Sequence, residues 1–227
     1  MEILQFFRDW SEVWALLIPL IIILVYKPKG NNLRWLILYV VTAFILNFLA
    51  VIIIEYDYLI PRWMNYGNNI FYNLHSFIMV ISFSVYIINV KKYKYKHLLK
   101  TLLVLYLAFV FLNFVFWESP LLLSTNHFTG GSIVLLLICL LYFLTAIQEE
   151  SPTIWLKHPS FIICAAVSLY QAITFFIFLF IYPMHNSAYN TDESFALLMM
   201  RIYQVIFVVF CILLALALYR SRKIRAG

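Results

Sequence analysis

The chain has 227 residues, of which 65% are apolar and only 11% charged, with a formal net charge of +6. Soluble domains carry roughly 25% charged residues, so an ordinary water-soluble fold is excluded. The apolar runs leave no room for a kinase, an ATPase or any other extramembrane catalytic domain, and no Gly-rich phosphate loop, CxxC pair, HExxH or GxSxG occurs.

A helix needs about 20 residues to cross a hydrocarbon core about 30 Å thick. Seven segments meet that length within tolerance, near 10-26, 34-55, 69-90, 98-117, 131-148, 160-182 and 196-219. The predicted fold class is all-α, one polytopic membrane domain over 1-227 with seven transmembrane helices.

The first segment is the shortest and contains Pro19, which a membrane helix tolerates where the freed carbonyl finds another partner. A cleaved signal would need a basic n-region and a small-residue cleavage site. The leading residues instead carry Glu2, Asp9 and Glu12 against Arg8. The segment is therefore read as a retained helix behind a short translocated tail, with residues 3-10 able to lie along the interface.

Segments two to four hold Asn47 and Glu55, then Asn69, Asn73, His75 and Ser76, then Asn113. Segment six adds Ser168, Gln171 and Thr174, and segment seven adds Arg201 and Gln204. Ala43 to Phe48 (AFILNF) resembles Ala108 to Phe114 (AFVFLNF), and an acid follows each, Glu55 or Glu118. The match is too short to establish a transporter-type repeat.

Orientation follows from the basic residues, which are retained on the cytoplasmic side. With the N-terminus out and the C-terminus in, the inner side holds Lys27, Lys29, Arg34, Lys91, Lys92, Lys94, Lys96, Lys100, Lys157, Arg220, Arg222, Lys223 and Arg225. Only Arg8, Arg62 and Arg201 remain elsewhere, and of the acids only Glu149 and Glu150 fall inside. Trp10, Trp14, Trp35, Trp63, Trp117 and Trp155 sit near segment boundaries, the level that indole prefers. The positive charge is thus a topology signal that touches anionic headgroups, densest at Lys91, Lys92, Lys94, Lys96 and Lys100, rather than a nucleic-acid surface. That patch could equally dock a cytoplasmic protein.

Polar groups in hydrocarbon are costly, so those within the segments should face the bundle or a cavity. On this topology Glu55, Asn69, Asn73, His75, Asn113, Arg201 and Gln204 map to the outer half and Gln171 near mid-depth, while the inner halves are nearly all Leu, Ile, Val and Phe. Residues three or four apart share a helix face, which gives stripes of Asn69, Asn73 and Ser76; of Ser168, Gln171 and Thr174; and of Arg201 and Gln204. One reading is an outward-open cavity in which Glu55, Asn69, Asn73, His75, Asn113, Gln171, Arg201 and Gln204 bind a ligand. The other is interhelical hydrogen bonding, worth about 0.6 kcal/mol per bond, that only fixes packing. For Arg201 the options are pairing with Glu55, snorkelling to headgroups, or, unpaired, receiving a carboxylate or phosphate.

No catalytic residue, cofactor or metal is expected. His75 is the one histidine placed within a segment on the outer side, with His127 and His185 read as loop residues, and a metal site needs several ligands. Cys139, Cys164 and Cys211 read as small packing residues. A retinal protein would need a lysine in the last segment, which offers only Arg201, and an HxxxH hydrolase motif is missing there.

The KPKGNNLRW turn, NNIFYNLHSFIM, the lysine-rich loop and the RIYQVIF helix together resemble a group of uncharacterised seven-helix proteins of bacterial inner membranes, often encoded near two-component signalling genes. The resemblance implies fold and membrane, with no catalytic residue to carry over. The expected function is a membrane sensor or binding protein whose basic inner face contacts a partner. The alternatives are an accessory subunit of a membrane complex, and an intramembrane lipid-modifying enzyme or small-solute transporter using Glu55, His75 and Arg201.

Overall fold

A computed structural model of the protein describes residues 10–28, 30, 32–55, 68–90, 95–149, 158–186 and 193–223. Among them are seven α-helices and no strand: α1 (Ser11–Tyr26), α2 (Leu33–Glu55), α3 (Asn69–Val90), α4 (Lys96–Phe116), α5 (Thr125–Glu149), α6 (Pro159–Asn186) and α7 (Glu193–Lys223). Residues 3-9, Arg62, Trp63, Lys91, Lys92, Lys94, Trp155 and Lys157 lie outside the described residues, as does the side chain of Glu55.

Helices α2 to α7 are long and apolar enough to cross a membrane. The seventh expected span, α1, has 16 residues, a rise of roughly 24 Å that falls short of a full hydrocarbon core by length alone. Its Pro19 is buried inside the helix. The helix stops where Lys27 turns left-handed (φ 44°, ψ 59°) and donates its N–H to the Ile23 carbonyl, after which Pro28 cannot continue the ladder.

Successive helices run in opposite directions, as their cross-contacts require. Trp10 meets Phe48, Asn32 donates to the Asn89 carbonyl, Tyr106 meets His127, Phe143 meets Phe161 and Tyr170 meets Tyr203. Tyr26 packs on Tyr219, so α1 and α7 run parallel. We call the end that holds the starts of α1, α3, α5 and α7 the upper end. Helices α1, α2, α3, α5, α6 and α7 close a ring through successive contacts, and α4 packs outside it against α3 and α5. Accordingly 22% of the α4 span is buried, against 44–56% for the other five long helices.

The ring is filled by aromatics rather than left open. Tyr39 of α2 lies 4.9 Å from the Phe83 ring of α3, and Tyr170 of α6 stacks 5.0 Å from Phe210 of α7. Phe207 and Phe210 are essentially inaccessible. Such rings contribute about 0.5–1.5 kcal/mol per pair beyond the area they bury. Cys139, Cys164 and Cys211 are buried among them as free thiols.

The start of α5 differs from the sequence expectation by six residues. STNHFTGG reads as loop because of its polar residues and paired glycines, yet Ser124 caps the helix by accepting the His127 N–H at 3.2 Å. The glycines serve close packing. A Cβ at Gly130 would stand 2.7 Å from the Phe109 ring of α4, and one at Gly131 2.9 Å from Val80 of α3. The lower half is also less purely aliphatic than expected, since Ser82, Ser84, Tyr86, Thr145 and Ser160 are buried there. Tyr86 and Ser160 resolve their burial by bonding each other across α3 and α6 at 2.9 Å.

Candidate functional site

Two polar clusters form in the upper half, each built from groups that the fold takes from several helices. The first joins the C-terminus of α4 to the N-termini of α3 and α5. At the end of α4 the Asn113 carbonyl accepts the N–H groups of both Trp117 and Glu118, a tight turn that brings the Glu118 carboxylate back over the start of α5. There it accepts hydrogen bonds from Asn113 Nδ2 (2.9 Å), from the Ser124 hydroxyl, and from Thr125 Oγ1 and the Asn126 N–H (both 3.4 Å). A carboxylate over a helix N-terminus also meets the positive end of the helix dipole.

Asn73 ties this knot to α3. Its Nδ2 donates to the carbonyls of Pro120 (2.9 Å) and Leu122 (2.7 Å), and its Oδ1 accepts the Ser124 N–H at 3.1 Å. His127 completes the cluster from α5, correcting its expected place in a loop. A carbonyl only accepts, so the contact of Nε2 with the Asn73 carbonyl (3.1 Å) puts the proton on Nε2. The neutral ring then takes the Tyr106 hydroxyl on Nδ1, at 3.1 Å. Asn126 Nδ2 closes the remaining acceptor on Asn113. Asn73 and Asn113, both expected to face a ligand, are therefore spent on the protein.

The second cluster surrounds a hollow between α3, α5, α6 and α7. Its walls are His75, Ser76, Met79, Val80, Phe128, Gly131, Ser132, Tyr170, Gln171, Thr174, Phe178 and Tyr203, and its volume is about 20 Å³. That is room for one water-sized species. His75 and Gln171, expected at a common site, do meet there. Gln171 Oε1 accepts the Ser132 hydroxyl at 2.6 Å and lies 3.4 Å from Thr174 Oγ1, while its Nε2 contacts Met79 Sδ at 3.4 Å.

Two donors of this cluster find no acceptor among the described residues. Tyr39 is fully buried, and its hydroxyl meets His75 Nε2 at 3.1 Å as its one partner. A buried hydroxyl proton left unpaired costs about 1–3 kcal/mol, so Tyr39 donates and His75 carries its proton on Nδ1, which bonds no described residue. Tyr203 accepts from Tyr170 at 3.1 Å, leaving its own O–H without an acceptor among the described residues. Glu12, in the first turn of α1, is half-buried at the same end.

The other expected site residues lie apart. Arg201 is exposed on the outside of α7, beside Ile173, Ile202, Val205 and Ile206, and forms no ion pair among the described residues. Its proposed pairing with Glu55 lies outside them. Asn69 is half-buried at the start of α3, and Gln204 is half-buried next to Tyr203; neither lines the hollow. Asn47 is buried on α2, turning Nδ2 back to the Ala43 carbonyl with its Oδ1 unpaired. Lys96 is half-buried and Lys100 exposed at the start of α4.

From the sequence, Glu118 stood only as the acid after a short repeat and His127 only as a loop histidine, and Ser124, Tyr39, Ser132 and Tyr203 were not singled out. Ser124, a favoured N-cap residue ahead of the apolar run, was legible as a cap. The tyrosines gave no signal, because in an aromatic-rich chain each looks like packing.

Compared with protein-family models, curated proteins and solved structures, the chain matches none, so its function rests on the site itself.

Proposed function

We propose that this protein is a seven-span integral membrane protein, N-terminus out, that binds a small hydrogen-bonding ligand in the hollow at His75 and Gln171. One observation carries the reading: His75, Ser132, Gln171, Thr174 and Tyr203, from four helices, converge on one hollow, and the Nδ1–H of His75 and the O–H of Tyr203 meet no acceptor among the described residues. Buried donors of a structural polar cluster are as a rule satisfied internally. A hollow of about 20 Å³ accepts a water-sized species; a larger solute enters only if the upper ends of α6 and α7 part. The basic inner face, with Lys96 and Lys100 at the start of α4, then contacts anionic lipid or a cytoplasmic partner that reads the occupancy. A bacterial inner membrane is the setting that the sequence resemblance supports.

The test is a thermal-stability screen of the purified protein against ammonium, small amino acids, short carboxylates and polyols. A ligand at one hundred times its Kd stabilises by about 2.7 kcal/mol. That gain should vanish in His75→Leu and in Gln171→Leu. A ligand that stabilises all three proteins equally rejects the hollow as its site. Orientation is tested separately: Lys100→Cys in intact cells should react with a membrane-permeant maleimide and not with an impermeant one, because the native cysteines are buried.

A second reading, an accessory subunit, is favoured by α4. It stands outside the ring, and an apolar groove of about 490 Å³, lined by Leu74, Phe77, Phe111 and Phe114 among others, runs between it and α3. Purification in mild detergent with a second subunit at fixed ratio would support it.

A further inference from the structure

The guanidinium of Arg201 is the one charged group inside the α7 span that faces outward near its upper boundary. The span runs Leu198–Ser221, so Arg201 sits roughly 4.5 Å below its start. It is exposed, faces away from the hollow, and has no acid beside it among the described residues. Of the acids of the upper end whose side chains are described, Glu118 is bonded within the first cluster and Glu12 is half-buried on α1.

Below the guanidinium opens a groove of about 250 Å³ whose remaining walls are Ile173 of α6 and Ile202, Val205 and Ile206 of α7. Residues 201, 202, 205 and 206 share one face of the helix, so charge and groove are a single continuous feature. Its neighbours Leu198, Met200 and Phe176 are exposed too, as expected of a wall that meets hydrocarbon.

A fixed cation at the edge of an apolar wall is costly unless an anion meets it. A guanidinium binds phosphate through two parallel N–H···O bonds, with a geometry that ammonium lacks. We propose that Arg201 and this groove hold one phospholipid of the leaflet at the upper end, the phosphate on the guanidinium and an acyl chain against Ile173, Ile202, Val205 and Ile206. The groove is what separates this site from general headgroup contact, because snorkelling alone needs no shaped apolar surface. It is also what separates it from a site for free phosphate, which would gain nothing from four aliphatic walls.

Native mass spectrometry of the full chain in mild detergent, titrated with phosphatidylglycerol, tests the assignment. The wild type should retain one phospholipid. Arg201→Gln should weaken retention about tenfold, the loss of one charge-assisted contact, and Arg201→Lys should fall between. Val205→Trp, which fills the groove and leaves the charge, should weaken it as much as Arg201→Gln. Inorganic phosphate at millimolar concentration should not displace the lipid. Equal retention by the wild type, Arg201→Gln and Val205→Trp overturns the site. So does displacement by inorganic phosphate together with an unaffected Val205→Trp, which would make Arg201 a free-anion site. Because both substitutions are on the exposed face of α7, thermal unfolding within a degree or two of wild type is expected and establishes that any loss is local.

Discussion

His127 and His75 are both buried, both on polar faces of otherwise apolar helices, and both paired with a tyrosine at 3.1 Å. They differ in what holds the second nitrogen. For His127 it is the Asn73 carbonyl, and the network around that carbonyl closes on itself through Ser124, Glu118, Asn113 and Asn126. His75 lines the hollow, and its Nδ1 bonds no described residue. Identical residue types have thus been used once to lock three helices together and once to line a space, and the distinction lies in whether every donor finds a protein acceptor. A closed network should be stiff and costly to break. An open one should be cheap to alter structurally and sensitive in binding.

The largest expected effect follows from breaking the closed side. Asn73→Leu removes two donations and one acceptance at once and strands the Ser124 N–H and two carbonyls, which should destabilise by about 3 kcal/mol in thermal or steric-trap unfolding. If the loss stayed below about 1 kcal/mol, the network would not be holding α3 to α5. Gly131→Val should come next, at about 2 kcal/mol, because its Cβ alone would meet Val80 at 2.9 Å and the packed α3–α5 contact cannot give way freely. Glu118→Gln should cost about 1 kcal/mol: the amide keeps one accepting oxygen but turns a donor toward Asn113 and Ser124, and the charge over the α5 N-terminus is gone. Gln171→Leu, on the open side, strands one hydroxyl, that of Ser132, and should cost about 1 kcal/mol, while abolishing ligand stabilisation. Were Gln171→Leu as damaging as Asn73→Leu, the two clusters would be equivalent and the hollow merely a packing gap.

How far this contrast was legible in the sequence depends on the residue. Hydropathy alone delivers the helices, since length and apolarity are local properties; six reach spanning length and α1 falls short of it. Asn73, His75, Asn113 and Gln171 stand out as buried polar residues for the same reason, a polar side chain in an apolar run has nowhere else to go. Their division into two clusters was hidden, because it depends on a turn at the end of α4 that folds Glu118 back and on glycines that let α5 come close to α3. For Arg201 the sequence left pairing with Glu55, snorkelling and an unpaired cation all open. The helix phase of α7 turns Tyr203, Phe207 and Phe210 inward and leaves Arg201 exposed, away from the hollow, while the side chain of Glu55 lies outside the described residues. Grouping by spacing along one helix cannot fix that phase when aliphatic residues surround the whole helix.

The finest test of the contrast leaves stability untouched. The hydrogen-bond arguments assign opposite tautomers to the two histidines: Nε2–H for His127, forced by a carbonyl acceptor, and Nδ1–H for His75, forced by the buried Tyr39 hydroxyl that must donate. Nitrogen-15 NMR of histidine-labelled protein distinguishes the two forms directly, and His75→Leu and His127→Leu assign the two resonances among the five histidines. Tyr39→Phe should then release His75 alone, allowing its proton to exchange between the two nitrogens, while Tyr106→Phe leaves His127 on Nε2 because the Asn73 carbonyl remains. If His75 proved to be the Nε2–H form in the wild type, the Tyr39 hydroxyl would lack an acceptor, the donor facing the hollow would disappear, and the ligand expected there would have to bring a donor of its own.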